Sequence, residues 1–186
     1  MIDHFGLLAP FYERLIPLTE VERLVELAEL PVTGRLLDAA GGTGRVSQAL
    51  RGLASQVIVA DLSMAMLRQA VAHHSLGSLC SMTEMLPFPD ESFDRVLMVD
   101  ALHHVKGHVE TAYQMWRVLK PGGRILISEL DVTTLPVKLV ALAEKLALMR
   151  SHFLPPARIA ALFPYPDTRT RVEKDGLNAW IIVDKL

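Results

Sequence analysis

The feature that most constrains this chain is the run Asp38-Ala39-Ala40-Gly41-Gly42-Thr43-Gly44, which follows the apolar pair Leu36-Leu37 and opens onto a helix-like segment. Small residues let a ligand reach the backbone, and the free N–H groups at the start of the next helix favour a carboxylate or phosphate. Strand, glycine-rich turn and helix in that order form the opening unit of an α/β fold, where ligands bind beyond the carboxyl ends of the strands.

The rest of the chain repeats that alternation. Thr19 and Glu22 read as a capping box ahead of Val21, Leu24, Val25, Ala28 and Leu30, which recur at helical spacing until Pro31 and Gly34 end the segment. Strands are expected over 35–39, 57–60 with Asp61 at its end, 78–81, 95–99 and 124–129. Helices are expected over 44–51, 63–73 behind Ser63, and 109–119. Pro87 and Pro89 make 86–90 a loop, and Lys120-Pro121-Gly122-Gly123 reads as a turn. Four β-then-α units imply a mostly parallel sheet with helices on both faces. The tail differs: helices are expected over 136–152 and 156–162, then strands over 168–173 and 178–184. Gly176 between these strands suggests an antiparallel hairpin.

Asp61 ends the second strand about 20 residues beyond the turn, where a carboxylate can accept hydrogen bonds from both hydroxyls of a ribose. A dinucleotide site calls for a third glycine, which would relieve packing around a pyrophosphate. From Gly42 the sequence runs Gly-Thr-Gly-Arg-Val-Ser, so Ser47 stands in that place and argues against NAD.

Composition narrows the class further. A chain of 186 residues suits one domain spanning 1–186, with 1–31 as an N-terminal helical cap and the helices of 135–165 on the side of a second substrate. A net charge of −2 gives no field to attract phosphate backbones, so no nucleic-acid partner is expected. The single cysteine, Cys80, reads as a small core residue in a strand; it allows no intrachain disulfide and fits a cytoplasmic setting. No signal peptide or membrane span is expected.

Five segments together resemble the class I S-adenosylmethionine-dependent methyltransferases. They are 36–44 (LLDAAGGTG), Asp61-Leu62-Ser63, 84–94 (EMLPFPDESFD), 101–105 (ALHHV) and 117–123 (RVLKPGG), in the family's order. The N-terminal 5–12 (FGLLAPFY) resembles methyltransferases of ubiquinone and menaquinone biosynthesis. The resemblance implies a Rossmann-like three-layer α/β/α sandwich, with a seven-stranded, mostly parallel sheet and one reversed strand. It also implies S-adenosylmethionine as methyl donor, S-adenosylhomocysteine as product, and a small-molecule acceptor that is quinone- or lipid-like. Cofactor contacts are then expected at Asp38, Ala40, Gly42, Gly44, Asp61, Leu62, Thr83, Glu84 and Asp100, with Tyr12 closing over the acceptor. Ala40 occupies the place of the family's first glycine. Met82 stands where an acidic residue commonly meets the adenine amino group; methionine accepts that bond poorly and can instead pack on the ring face.

Methyl transfer from a sulfonium needs alignment and exclusion of water, and a base only where the acceptor must shed a proton. His103 and His104 follow the fourth strand and are the candidates for that base; one of them packing at the strand end is the plain alternative. Asp100 either meets the cofactor's amino group or caps the short helix after it. His104 and His108 have i, i+4 spacing, but no third ligand is apparent, so no metal is expected. Val137, Val140, Ala141, Leu142, Leu146 and Met149 offer apolar faces on the 136–152 helix, for an acceptor pocket, the core or a dimer; either a monomer or a homodimer is compatible. Two rival functions remain: a methyltransferase-like binding module without turnover, and an NAD(P)-dependent enzyme.

Overall fold

A computed structural model describes residues 20–74, 76–146 and 151–186 of the chain. In chain order these form α1 (Val21–Leu27), β1 (Arg35–Ala39), α2 (Arg45–Ala49), β2 (Gln56–Asp61), α3 (Met64–His74), β3 (Gly77–Cys80), β4 (Phe93–Val99), α4 (His108–Val118), β5 (Leu119–Leu130), α5 (Leu135–Leu146), α6 (Pro156–Ala160), β6 (Thr168–Asp175) and β7 (Asn178–Lys185). Short 3₁₀ turns cover Thr83–Met85 and Leu102–His104.

The seven strands make one sheet in the order β3-β2-β1-β4-β5-β7-β6. β1 to β5 run parallel, and β7 is antiparallel to both β5 and β6. The expected architecture, with its reversed strand, is the one observed. β1 lies between β2 and β4, so its carboxyl end sits where the strand order reverses, and the Asp38–Gly44 turn opens there.

Alternation along the central strands explains why both faces are covered. Leu37, Val96, Met98, Ile125, Ile127, Ile181 and Val183 point into a cluster with Met115 and Trp116 of α4 and Ile159 of α6. Leu36, Leu97, Leu126 and Ile182 point the other way, with Leu24 and Leu27 of α1 and Val46 of α2. Two buried arginines fix α1 to the sheet. Arg95 Nε donates to the Ala28 carbonyl at 2.5 Å and Arg124 donates to that of Leu27 at 2.9 Å, satisfying carbonyls the helix end leaves open.

Several boundaries differ from those expected. α1 starts with Glu20 at its N-cap in a left-handed conformation, with no side-chain cap; Thr19 lies outside the described residues, as does most of the expected cap over 1–31. The expected turn at 120–123 is carried within β5. Phe93 pairs with Leu119 and Arg95 with Arg124, so the partner strand advances five residues against two and bulges around Gly122 (φ 75°). α5 is described from Leu135 to Leu146, and residues 151–155 are not helical, so the helix stops short of the expected 152; the His152 N–H donates to the His103 carbonyl at 2.7 Å. Cys80 is exposed rather than in the core, because β3 is the outermost strand on its side of the sheet. Ser63 does cap α3, its hydroxyl accepting from the Met66 N–H at 3.4 Å. Among the described residues no helix is long and apolar enough to cross a membrane.

Candidate functional site

The turn after β1 is held from below. Asp38 is 1% exposed and accepts a hydrogen bond from the buried Ser47 hydroxyl at 2.7 Å. A Cβ on Gly41 would stand 2.6 Å from the Asp38 carboxyl carbon, so only glycine fits over that carboxylate. Burial, eased by the Ser47 bond, pushes the Asp38 carboxyl up to about 6. Ser47 thus has a structural task that sequence reading saw only as a missing third glycine.

The upper side of the turn is open. A Cβ on Gly42 would meet nothing within 4 Å among the described residues, so these leave the backbone open to a ligand there. Ala40, Gly42 and Gly44 all adopt positive φ (57°, 57° and 77°), which costs alanine about 1 kcal/mol and glycine almost nothing. The family's usual glycine at position 40 therefore has a conformational reason, and this chain spends strain there. Thr43 adds a buried hydroxyl with no hydrogen-bond partner among the described residues.

Asp61 meets the turn from the end of β2. One carboxylate oxygen accepts from the Gly42 N–H at 2.9 Å and the other from the Ser63 N–H at 2.7 Å. Both oxygens are thereby held by backbone N–H groups. Leu62, the next residue, is 66% exposed, and Met82 on the neighbouring loop after β3 is 42% exposed. Two exposed apolar side chains on adjacent loops suit a flat ring. Thr83 turns inward, its hydroxyl 3.0 Å from that of Thr111, and Glu84 accepts from the Gly107 N–H at 3.1 Å. With both side chains engaged, this segment has mainly backbone to offer a ligand. An open glycine cradle, a locked carboxylate and an apolar slot fit an adenosine-bearing cofactor with a small polar tail.

A second group gathers at the ends of β4 and β5. Glu129 is 3% exposed and accepts from the backbone N–H of Leu102 at 2.5 Å and of His103 at 3.3 Å; its other oxygen lies 2.6 Å from His103 Nδ1. Glu129, and not Asp100, therefore caps the 3₁₀ turn. Asp100 takes a left-handed backbone conformation (φ 50°), and its carboxylate sits 3.9 Å from Arg45 at the start of α2, which links this group to the glycine turn. Burial first, then the charge of Glu129, raises the Asp100 carboxyl above its ordinary value.

The two histidines are not equivalent. Burial acts to lower His103, but the hydrogen bond and charge of Glu129 outweigh it, and its imidazole is held above its ordinary value. His104 is driven down to about 3, by burial first and then by His103. The His103 ring stacks on Phe153 with centroids 4.3 Å apart. The i, i+4 pair His104 and His108 is not the one that acquires a third group. Instead His103, His104 and Glu144 of α5 bring ligand-type atoms within 4.8 Å of one another. Sequence reading missed Glu129 and Glu144, which lie 26 and 41 residues beyond His103 with no recognisable spacing. Of the α5 face, Val137 is buried, whereas Val140 and Leu142 join Leu135 and Leu139 as exposed apolar residues. Tyr12 and Met149 lie outside the described residues.

Comparison with known proteins agrees with this geometry. Residues 37–127 match the family described as "Methyltransferase domain". The ubiquinone/menaquinone biosynthesis C-methyltransferase UbiE of Hahella chejuensis is 37% identical over 112 residues, covering 55% of this chain and 45% of that one. The UbiE of Pseudomonas putida is 36% identical over 121 residues, covering 59% and 47%. The chain thus matches about half the length of these relatives. The fold is shared with a possible histamine N-methyltransferase from Thermotoga maritima, with a TM-score of 0.79, 21% identity and 98% coverage of each chain. The glycine turn and the locked Asp61 carboxylate both fall within the segment that matches the methyltransferase domain family.

Proposed function

We propose that the protein transfers a methyl group from S-adenosylmethionine to a small, hydrophobic, quinone-like acceptor. The observation that carries the cofactor half is the Asp61 carboxylate, fixed on the glycine turn by the Gly42 N–H. In this reading Asp61 accepts from the ribose hydroxyls. Leu62 and Met82 cover the adenine faces, and the backbone of Thr83 and Glu84 meets its edge. Ala40, Gly42 and Gly44 make room for the methionine portion, and Asp100 receives its ammonium group. Asp38 acts from beneath, keeping the turn in shape. The bound cofactor supplies a sulfonium methyl, the electrophile.

His103 is the residue proposed to remove a proton from the acceptor. Glu129 holds Nδ1, which leaves Nε2 to do so, in the manner of an oriented imidazole base. His104, held neutral, is the weaker candidate for a base and serves as a hydrogen-bonding wall. The hydrophobic acceptor is supported by the exposed Leu135, Leu139 and Leu142 on α5, by Phe153 against His103, and by the names of the UbiE relatives. Ser47, its hydroxyl bonded to Asp38, occupies the place where a dinucleotide site needs its third glycine, which disfavours the NAD(P) reading.

The test is incubation with methyl-labelled S-adenosylmethionine and the small-molecule fraction of a cell extract, followed by a panel of quinols, lipids and polar acceptors. Label is expected in an apolar product. Methylation of polar acceptors with none of the quinols or lipids rejects the acceptor class. Cofactor binding with no labelled product from any fraction favours a binding module.

A further inference from the structure

We propose that His103, His104 and Glu144 form a binding site for one divalent transition-metal ion of the zinc class, and that its occupancy switches off His103 as a base. The three side chains present ligand-type atoms within 4.8 Å of one another, and two imidazoles with one carboxylate are a donor set that suits zinc with a position left open.

Two further observations point to a ligand. The Glu129 carboxylate holds His103 Nδ1 at 2.6 Å, the arrangement by which a carboxylate behind a metal-bound histidine fixes its tautomer and leaves Nε2 for the ion. His104 Nδ1 likewise meets the Ser151 hydroxyl at 3.4 Å. In addition, Glu144 Oε2 is buried with no hydrogen-bond partner among the described residues, and a cation would satisfy it. Tetrahedral zinc with bonds of about 2.0–2.1 Å sets its ligands about 3.4 Å apart, so the group must close by roughly an ångström. The Glu144 side chain, with three rotatable bonds, can make that movement from α5.

The site stands apart from the acceptor question, but the switch rests on the reading of His103 as base. Nε2 cannot both hold a cation and accept a proton. Metal loading and proton removal at His103 are therefore mutually exclusive, and the loaded enzyme loses turnover.

The experiment titrates metal-free protein with Co²⁺, follows the visible d–d bands of a tetrahedral or five-coordinate site, and displaces the cobalt with Zn²⁺. One equivalent is expected to bind. H104A and E144Q should each weaken binding at least tenfold, and E129Q by about 10–100-fold. H108A, which removes a histidine outside the group, should bind as the wild type does. Circular dichroism melts establish that each variant is folded. Absence of bands from the wild type, or bands that persist in both folded H104A and folded E144Q, overturns the site. Methyl transfer measured across the same zinc titration should fall with occupancy. Undiminished transfer at full occupancy overturns the switch while leaving the site intact, and the spectroscopic result holds whether or not an acceptor has been found.

Discussion

The proposed cofactor end and the proposed acceptor end both lie at the carboxyl ends of the parallel strands, yet they are built in opposite ways. The cofactor end comes from consecutive units, β1–turn–α2 and β2, and its key contact joins Gly42 to Asp61 across neighbouring parallel strands. Its groups are backbone amides and one carboxylate, so the architecture itself supplies the chemistry. The acceptor end is assembled from three separate segments. Glu129 at the end of β5 pins the 3₁₀ turn that follows β4, and Glu144 comes from α5 in the tail. The first arrangement follows from the order of neighbouring strands, while the second depends on side chains brought together from distant parts of the chain.

The largest expected effect breaks the acceptor end. Glu129→Ala removes a buried carboxylate that serves two backbone N–H groups and His103, and should destabilise the protein by about 3–5 kcal/mol in urea titration. A loss below about 1 kcal/mol would mean that this region is not held as described.

The next effect is a pH dependence belonging to the cofactor end. The Asp38 carboxyl sits at about 6 in the folded protein, above the ordinary unfolded value of about 3.9. The folded state therefore favours the protonated form, and this contribution is complete below about pH 4 and lost as pH rises through about 6. Relative to Asp38→Asn, the wild type should lose about 2 kcal/mol of stability between pH 4 and pH 6.5. Parallel stability curves for the two proteins across that window would contradict the burial of Asp38.

Asp61→Ala should separate binding from folding. S-adenosylhomocysteine affinity is expected to fall about 10–100-fold, while stability drops by only about 1 kcal/mol for the lost backbone contacts. Equal affinity in variant and wild type would remove Asp61 from the ribose. The smallest effect is at the strained alanine. Ala40→Gly relieves a left-handed conformation but adds chain entropy to the unfolded state, for a net gain of about 0.5 kcal/mol. A lower melting temperature in that variant would sink the strain argument.

The same contrast decides what could be read in advance. The strand–turn–helix unit, Asp61 and the tail hairpin are visible in the sequence because their signals are local: apolar runs, small residues and a fixed spacing along the chain. Ser47 reads in the sequence only as the absence of a glycine, because its partner Asp38 is recognised only once α2 folds back over the turn. Glu129 reads as the last polar residue of an apolar strand, and Glu144 as one charge on an amphipathic helix. Neither has a sequence neighbour that announces His103, and only the sheet order unites them. The bulge within β5 hid behind the proline and glycines of 120–123, which signal a turn without saying that pairing resumes across it. Cys80 reads as a core residue in the sequence because strand length and apolar character do not reveal which strand lies outermost.

The central claim is that the glycine turn and Asp61 form a ready site for the methyl donor. The most direct measurement is calorimetric titration of S-adenosylhomocysteine into the wild-type protein at neutral pH, with NADH as competitor. The account predicts saturable binding of one equivalent, unaffected by NADH. No binding up to millimolar ligand, or displacement by NADH, would contradict it.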